Sequence, residues 1–338
     1  MKLNVSFRKS ARFCLWVIGL LYALAIFAPF VVPYHYEDEM RSLSFCPPTP
    51  IQLVANGQLT APFVYGQQAF RDANELRRYR QTDERYPVRF FTQGRLFTVD
   101  APGRVYLLGA DSRGRDVLSR LIYGARISLS IGLLGVLISF TLGLLIGGLA
   151  GYFGGKTDRL LMRLCDMFML VPGFYLMLAL RSAVPDNFNS LQIYLTVVVI
   201  LAFIGWASLA RVIRGMALSL KERPFVLSAK LLGVSDVAII VRHILPHTAS
   251  YALIAMMLTI PSYILAEAGL SLIGLGIQDP IPSWGNMLTE IMNIINIQIA
   301  PWLLASGVLI IITTICFNVV GDNLRDQLDP LWKRDADR

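Results

Sequence analysis

Residues 127 to 155 read ISLSIGLLGVLISFTLGLLIGGLAGYFGG, 29 positions without a charged side chain, closed by Arg126 on one side and Lys156 on the other. A helix rises about 1.5 Å per residue, so roughly 20 such positions cross the hydrocarbon core of a bilayer. This run is long enough to do so. Four more uncharged runs lie around it: Cys14 to Val32 with 19 residues, Asn187 to Ala210 with 24, Thr248 to Ala266 with 19 and Ile291 to Gly321 with 31. The whole chain of 338 residues is 55% hydrophobic and only 16% charged, with a mean hydropathy of +0.55. That excludes an ordinary soluble domain, whose surface must dilute its apolar residues with charge.

A sixth span is expected near 160–180. Met167 to Leu180 gives only 14 uncharged residues between Asp166 and Arg181. Beginning the helix near Leu160 supplies the length, with Arg163 and Asp166 three apart and able to pair on one face. Parity requires it, because the flanking loops must lie on opposite sides. The basic segment Lys2, Arg8, Lys9, Arg12 and the basic loops carrying Lys156, Arg159, Arg163 and then Arg211, Arg214, Lys221, Arg223, Lys230, Arg242 face the cytoplasm by the positive-inside rule. The formal charge of +8 is thereby explained without a nucleic-acid partner. The first run is read as a retained span, since its apolar core is long for an export signal and Ala28 to Pro33 is a poor cleavage site.

The expected domains are 1–33, cytoplasmic N-terminus and first span; 34–122, an extracytoplasmic segment; 123–321, a five-helix core; and 322–338, a cytoplasmic tail. Within 34–122, Pro87–Phe91 and Gly94–Val99 predict short strands, and Gly57, Gly94 and Gly103 mark turns. Gly143, Gly147 and Gly151 stand four apart, a smooth strip for close helix packing. The fold class is therefore an all-α polytopic membrane protein with six transmembrane helices and a small β-containing extracytoplasmic insertion.

No nucleotide-binding, nucleophilic or metal constellation is present, so no cofactor and no enzymatic activity are expected. His243 and His247 are four apart, but Pro246 lies between them and no third ligand follows. The cysteines Cys14, Cys46, Cys165 and Cys316 lack ligand or disulfide spacing. Glu267, among glycines, reads as a helix break at the interface.

Between the fourth and fifth spans, residues 211–247 form a loop. Pro224 suits a first helical turn, Phe225 to Leu232 has helical spacing, Gly233 interrupts, Ser235 caps with Asp236 behind it, and Pro246 ends the segment. Two short helices about a glycine turn are expected, with small Ser228 and Ala229 allowing close approach by another surface.

This stretch resembles the coupling loop of binding-protein-dependent ABC transporter permeases, written Glu-Ala-Ala, three residues, Gly, nine residues, Ile-x-Leu-Pro. The matching positions are Leu227, Ser228, Ala229, Gly233, His243, Leu245 and Pro246, with Leu227, Ser228 and His243 departing from the motif. LGADSRGRDVLSRLIYGAR (108–126), GYFGG (151–155) with Asp158, RHILP (242–246), EAGLSLIGLG (267–276), PIPSWG (280–285) and GDNLR (321–325) with Asp329-Pro330 are similar to the C-type subunit of dipeptide and oligopeptide permeases. The resemblance covers most of 1–33 and 104–332.

It implies a type I ABC importer permease architecture in a bacterial inner membrane. The implied partners are a second permease subunit, two ABC ATPase subunits that hydrolyse the ATP, and an extracytoplasmic binding protein delivering peptide. Pro224, Phe225, Leu227, Ser228, Ala229, Gly233, His243, Leu245 and Pro246 would couple to the ATPases. Asp111, Arg113, Arg115 and Asp116 would hold an external gate through internal ion pairs or contact the binding protein, and Trp284 would shape the outer loop near the path or anchor it at the interface. A nickel importer of the same architecture is the near alternative, and a secondary transporter a more distant one.

Overall fold

The computed structural model describes residues 8–55, 58–72, 77–185 and 187–328. The expected markers Lys2, Gly57, Asp329 and Pro330 lie outside them. The main helices are α1 (Lys9–Ile26), α2 (Val117–Phe153), α3 (Gly155–Leu170), α4 (Gly173–Ser182), α5 (Ser190–Leu220), α6 (Pro224–Leu231), α7 (Asp236–Leu272) and α8 (Ala305–Leu328). By length and composition α1, α2, α5, α7 and the last helix, extended to Pro301–Gln327, are able to cross a membrane.

The sixth span differs from expectation. The α3–α4 pair is bent by 86°, so it counts as a sixth span only if the two helices act as one. Pro172 explains the bend: it offers no N–H and pushes the preceding residue out of the helical region, and Val171 is extended at φ −85°, ψ 124°. Asp166 pairs with Arg211 of α5, so the expected intrahelical partner Arg163 is not the one it meets.

The described residues form two compact units, one drawn from those within 8–18, 130–266 and 313–328, the other from those within 19–129 and 267–312. In the first, the glycine strip of α2 lies against α5. A Cβ added at Gly143 would sit 2.8 Å from a Leu209 methyl, and one at Gly151 would sit 2.6 Å from both Ala217 Cβ and the Arg214 carbonyl. Lipid offers no hydrophobic drive for helices to associate, so such backbone approach is what holds them. A capping box of Asn189 and Gln192 starts α5. In the same unit, Cys165, Trp206, Ala207 and Ala210 form one buried cluster, and Cys14, Cys316, Val320 and Leu324 another. All four cysteines are free and buried.

The second unit corrects the all-α expectation. It holds a four-stranded antiparallel sheet in sequence order, β1 (Gln52–Ala55), β2 (Gln58–Arg71), β3 (Arg77–Thr92) and β4 (Arg95–Val99). At 14 and 16 residues, β2 and β3 far exceed the short strands expected. Their outer parts are polar on both faces and show no apolar alternation. Cross-strand cation–π pairs support them instead: Arg80 lies over Phe70 at 5.5 Å and Arg85 over Phe63 at 5.4 Å. The sheet core is Tyr34, Val64, Val88, Phe97 and Val105. Gly94, at φ +72°, turns β3 into β4, and the Gly103 N–H closes a turn on the Asp100 carbonyl.

Two further expectations change. Pro246 does not end its segment, because α7 continues through it to Leu272. A π-turn at Ile240–Ile244 precedes the proline, with the Leu245 N–H reaching the Ile240 carbonyl five residues back. Widening the turn there accommodates the ring that would otherwise press on the preceding turn. Glu267 lies inside α7, not at a break, and is fully buried. The 322–338 tail begins as helix, since α8 runs to Leu328.

Candidate functional site

The segment 224–246 is built as a hook. Pro224 occupies the first turn of α6 behind Arg223. At the other end Gly233 takes φ +77°, a left-handed conformation that costs glycine nothing. There the Gly233 N–H bonds the Lys230 carbonyl and the Val234 N–H the Ala229 carbonyl, each at 3.1 Å, closing the helix. Ser235 stands at the N-cap of α7, though its hydroxyl makes no capping bond, and Asp236 accepts the Tyr152 hydroxyl at 2.5 Å.

One face of this hook is anchored. Val226, Ala229, Ile239 and Ile244 are buried with Ala217 and pack on Tyr152, Leu220 and Val234. Ala229, expected to touch a partner, is therefore part of the anchor. The other face is apolar and open: Leu231 is 90% exposed and Leu232 83%, with Phe225, Leu227, Val237 and Val241 also exposed. Pro224, Ser228, Gly233 and Pro246 lie exposed beside them, while His243 and Leu245 are half-buried. The His247 ring stacks on Phe225 at 4.8 Å and its Nδ1 lies 2.7 Å from the His243 carbonyl. The two histidines thus have structural contacts, and no cluster among the described residues gathers three metal-ligating side chains.

In the second unit, Asp111, Arg115 and Asp116 are brought together, but inside the protein. The Arg115 guanidinium donates to Asp111 at 2.6 Å and to Asp279 at 3.0 and 3.3 Å. Arg120 reaches the same Asp279 oxygen at 2.9 Å, and Glu290 lies 3.7 Å from Arg115. Asp111 also accepts the backbone N–H groups of Arg113 and Arg115, fixing the loop. Asp116 caps α2, accepting the N–H and hydroxyl of Ser119 at 2.9 and 2.6 Å. Only Arg113 of the expected four faces outward, pairing with Glu39 at 3.2 Å.

The environment separates these carboxyls. Burial pushes Asp116 up to about 6. Burial also opposes ionisation of Asp279, but Arg120 and Arg115 outweigh it and hold that carboxyl below its ordinary value. Glu290 is raised by burial and by Asp111.

Sequence reasoning missed Arg120, Asp279 and Glu290 because the two carboxylates lie far along the chain from Arg120, Asp279 by 159 positions. The quoted PIPSWG stretch was the available signal, since Asp279 immediately precedes it. Trp284 is fully buried, not interfacial: its indole N–H donates to the Leu121 carbonyl and its backbone N–H to Ser128 Oγ, both at 3.0 Å. Next to it, Glu267 accepts the hydroxyls of Ser271 and Ser283 at 2.7 and 2.8 Å.

These arrangements hold a loop and present a hook. The family described as "Binding-protein-dependent transport system inner membrane component" matches residues 143–334, and the N-terminal domain of oligopeptide transport permease C matches 7–48. This chain belongs to that transport family. Relatives of the permease include an oligopeptide transport system permease protein from Haemophilus influenzae, 39% identical over 67% of this chain and 70% of its own length. A glutathione transport system permease protein from Pectobacterium atrosepticum is 38% identical over 69% of this chain and 75% of its own. A dipeptide transport system permease protein from Bacillus subtilis is 37% identical over 69% and 71%. Among solved structures, the inward-facing MetNI methionine ABC transporter aligns over 62% of this chain and 97% of its own at TM-score 0.47 and 17% identity.

Proposed function

We propose that this permease is one half of the pathway of an ATP-driven importer for dipeptides or oligopeptides, working with a second permease subunit, two ATPase subunits and an extracytoplasmic binding protein. ATP is hydrolysed on the ATPases, and this chain converts their closure into movement of its helices. The single observation that carries the reading is the hook at 224–246, anchored on one face and apolar and open on the other. An exposed apolar face of this size on a folded element is a docking surface. Its concave partner would be a groove on the ATPase, and α6 with the first turns of α7 is the lever. The relatives above are named for oligopeptides, dipeptides and glutathione, which supports peptide cargo over nickel.

The basic loops support a cytoplasmic position for the termini and the hook, with 34–122 outside. On that outer side the Asp111–Arg115–Arg120–Asp279 cluster acts as an internal lock on the loop. Arg113 is the member left to meet a binding protein.

The test uses the exposure of Ser228. Because the native cysteines are buried, a Ser228→Cys variant carries one accessible thiol for crosslinking. Crosslinks to an ATPase subunit that change yield with bound ATP are expected. A transport-active complex in which Cys at this position never meets an ATPase overturns the assignment.

A further inference from the structure

Strands β2 and β3, with residues near 40–43 and 102–106, surround a cavity of about 660 Å³ in the second unit, a size that suits a small organic ligand. Its lining includes two guanidiniums, Arg77 and Arg104, one carboxylate, Glu84, and the amides of Gln67 and Gln68. Among the described residues neither arginine pairs with a carboxylate, and Glu84 accepts the Tyr86 hydroxyl and no cation. Their neighbours behave differently: Arg78 pairs with Asp72 at 3.2 Å and Arg89 with Asp100 at 2.7 Å.

Both guanidiniums are held in place. Arg77 donates to the Ser42 carbonyl, and Arg104 stacks over Tyr34 at 4.4 Å. Thr82 Oγ1, also on the lining, is buried without a hydrogen-bond partner among the described residues.

The hollow depends on two glycines. Gly66 sits where the β2–β3 register shifts, and a Cβ there would come within 3.2 Å of the Tyr86 ring. A Cβ at Gly103 would lie 2.6 Å from Tyr86 Cβ. Glycine inside a strand at a bulge leaves room for close approach by another group. The cations of 34–122 are all arginine, whose planar fork matches a carboxylate with two parallel bonds.

We infer that this cavity binds short zwitterionic peptides, with the terminal carboxylate on Arg77 and Arg104 and the terminal ammonium on Glu84. The assignment rests on the peptide-import reading and names a cargo site within it. A tripeptide extends at most about 10 Å, and both arginines and Glu84 line the same cavity.

The experiment titrates trialanine, N-acetyl-trialanine and trialanine amide into the full-length chain in lipid nanodiscs, followed by calorimetry. Trialanine should bind saturably, and each blocked peptide about tenfold or more weakly, the loss of one charge-assisted contact. Glu84→Gln should erase the penalty of acetylation, and Arg77→Gln combined with Arg104→Gln that of amidation. Absence of saturable binding, equal affinity for the blocked peptides, or equally effective competition by inorganic phosphate would each overturn the assignment. Uptake of labelled trialanine by cells carrying the complete transporter separates the two readings. Uptake without binding by this chain sinks the cavity site alone, whereas absence of uptake of any peptide sinks peptide import.

Discussion

Replacing Arg115 by methionine removes the hub of the buried charge cluster while keeping most of the side-chain volume. Arg115 is 2% exposed and contacts Asp111 at 2.6 Å, Asp279 at 3.0 Å and Glu290 at 3.7 Å. Its loss leaves Asp111, itself 3% exposed at the side chain, with two backbone N–H groups and Arg120 at 3.6 Å. A buried charge stripped of its partner costs about 3–5 kcal/mol.

Arg113 is the internal control. It touches Glu39 at 3.2 Å and Asp279 at 3.6 Å, but is 48% exposed, so Arg113→Met should cost about 0.2–1 kcal/mol. Thermal unfolding of the detergent-purified proteins at pH 7.5 should lower the midpoint at least three times as far for Arg115→Met. Adding Asp111→Asn to Arg115→Met should recover part of the loss, because the stranded carboxylate is then neutral. Equal midpoints for the two single variants, or no recovery in the double, would refute the claim that buried pairing holds this loop.

Asp116 supplies a pH test with a definite sign. Its carboxyl rises from 3.8 unfolded to about 6 folded, so the folded state binds the extra proton between those values. Its contribution is therefore lost as pH climbs from about 4 to 6, a swing on the order of 3 kcal/mol. Asp116→Asn keeps an acceptor for Ser119 and should flatten the stability profile across that window; an unchanged slope counts against it. On α2, Gly151→Ala should destabilise by about 1–3 kcal/mol through overpacking, whereas Gly269→Ala, with nothing within 4 Å of its Cβ, should be neutral or stabilising by about 0.5–1 kcal/mol; paired melts decide. Leu231→Glu, on the open face of the hook, should leave the melting point unchanged and abolish co-purification of the ATPases. Val226→Glu, at 1% exposure, should unfold the hook itself, seen as rapid proteolysis near Gly233.

The membrane class followed from charge-free runs alone, because burying a run that long in lipid depends on composition and not on neighbours. The bend at Gly233 was equally local, a left-handed position that glycine takes without strain. Spacing also identified the glycine strip on α2, though only packing showed that α5 lies against it. Residues 58–92 were hardest to read, since cross-strand pairs such as Arg80 with Phe70 stabilise strands that show no alternation of their own. The charged segment after Leu108 announced itself in the sequence as dense and paired. The structure pairs Asp111 with Arg115 inside the protein, together with Asp279 and Glu290 from the far end of the chain, partners that spacing could not name.

Helical length, hydrophobicity and turn chemistry are properties of neighbouring residues, so the sequence by itself determined the apolar helices and the hook's outline. Which charges are buried, where a proline is absorbed by a widened turn, and which faces stay open depend on partners distant in the chain. Those were decided only by the tertiary structure.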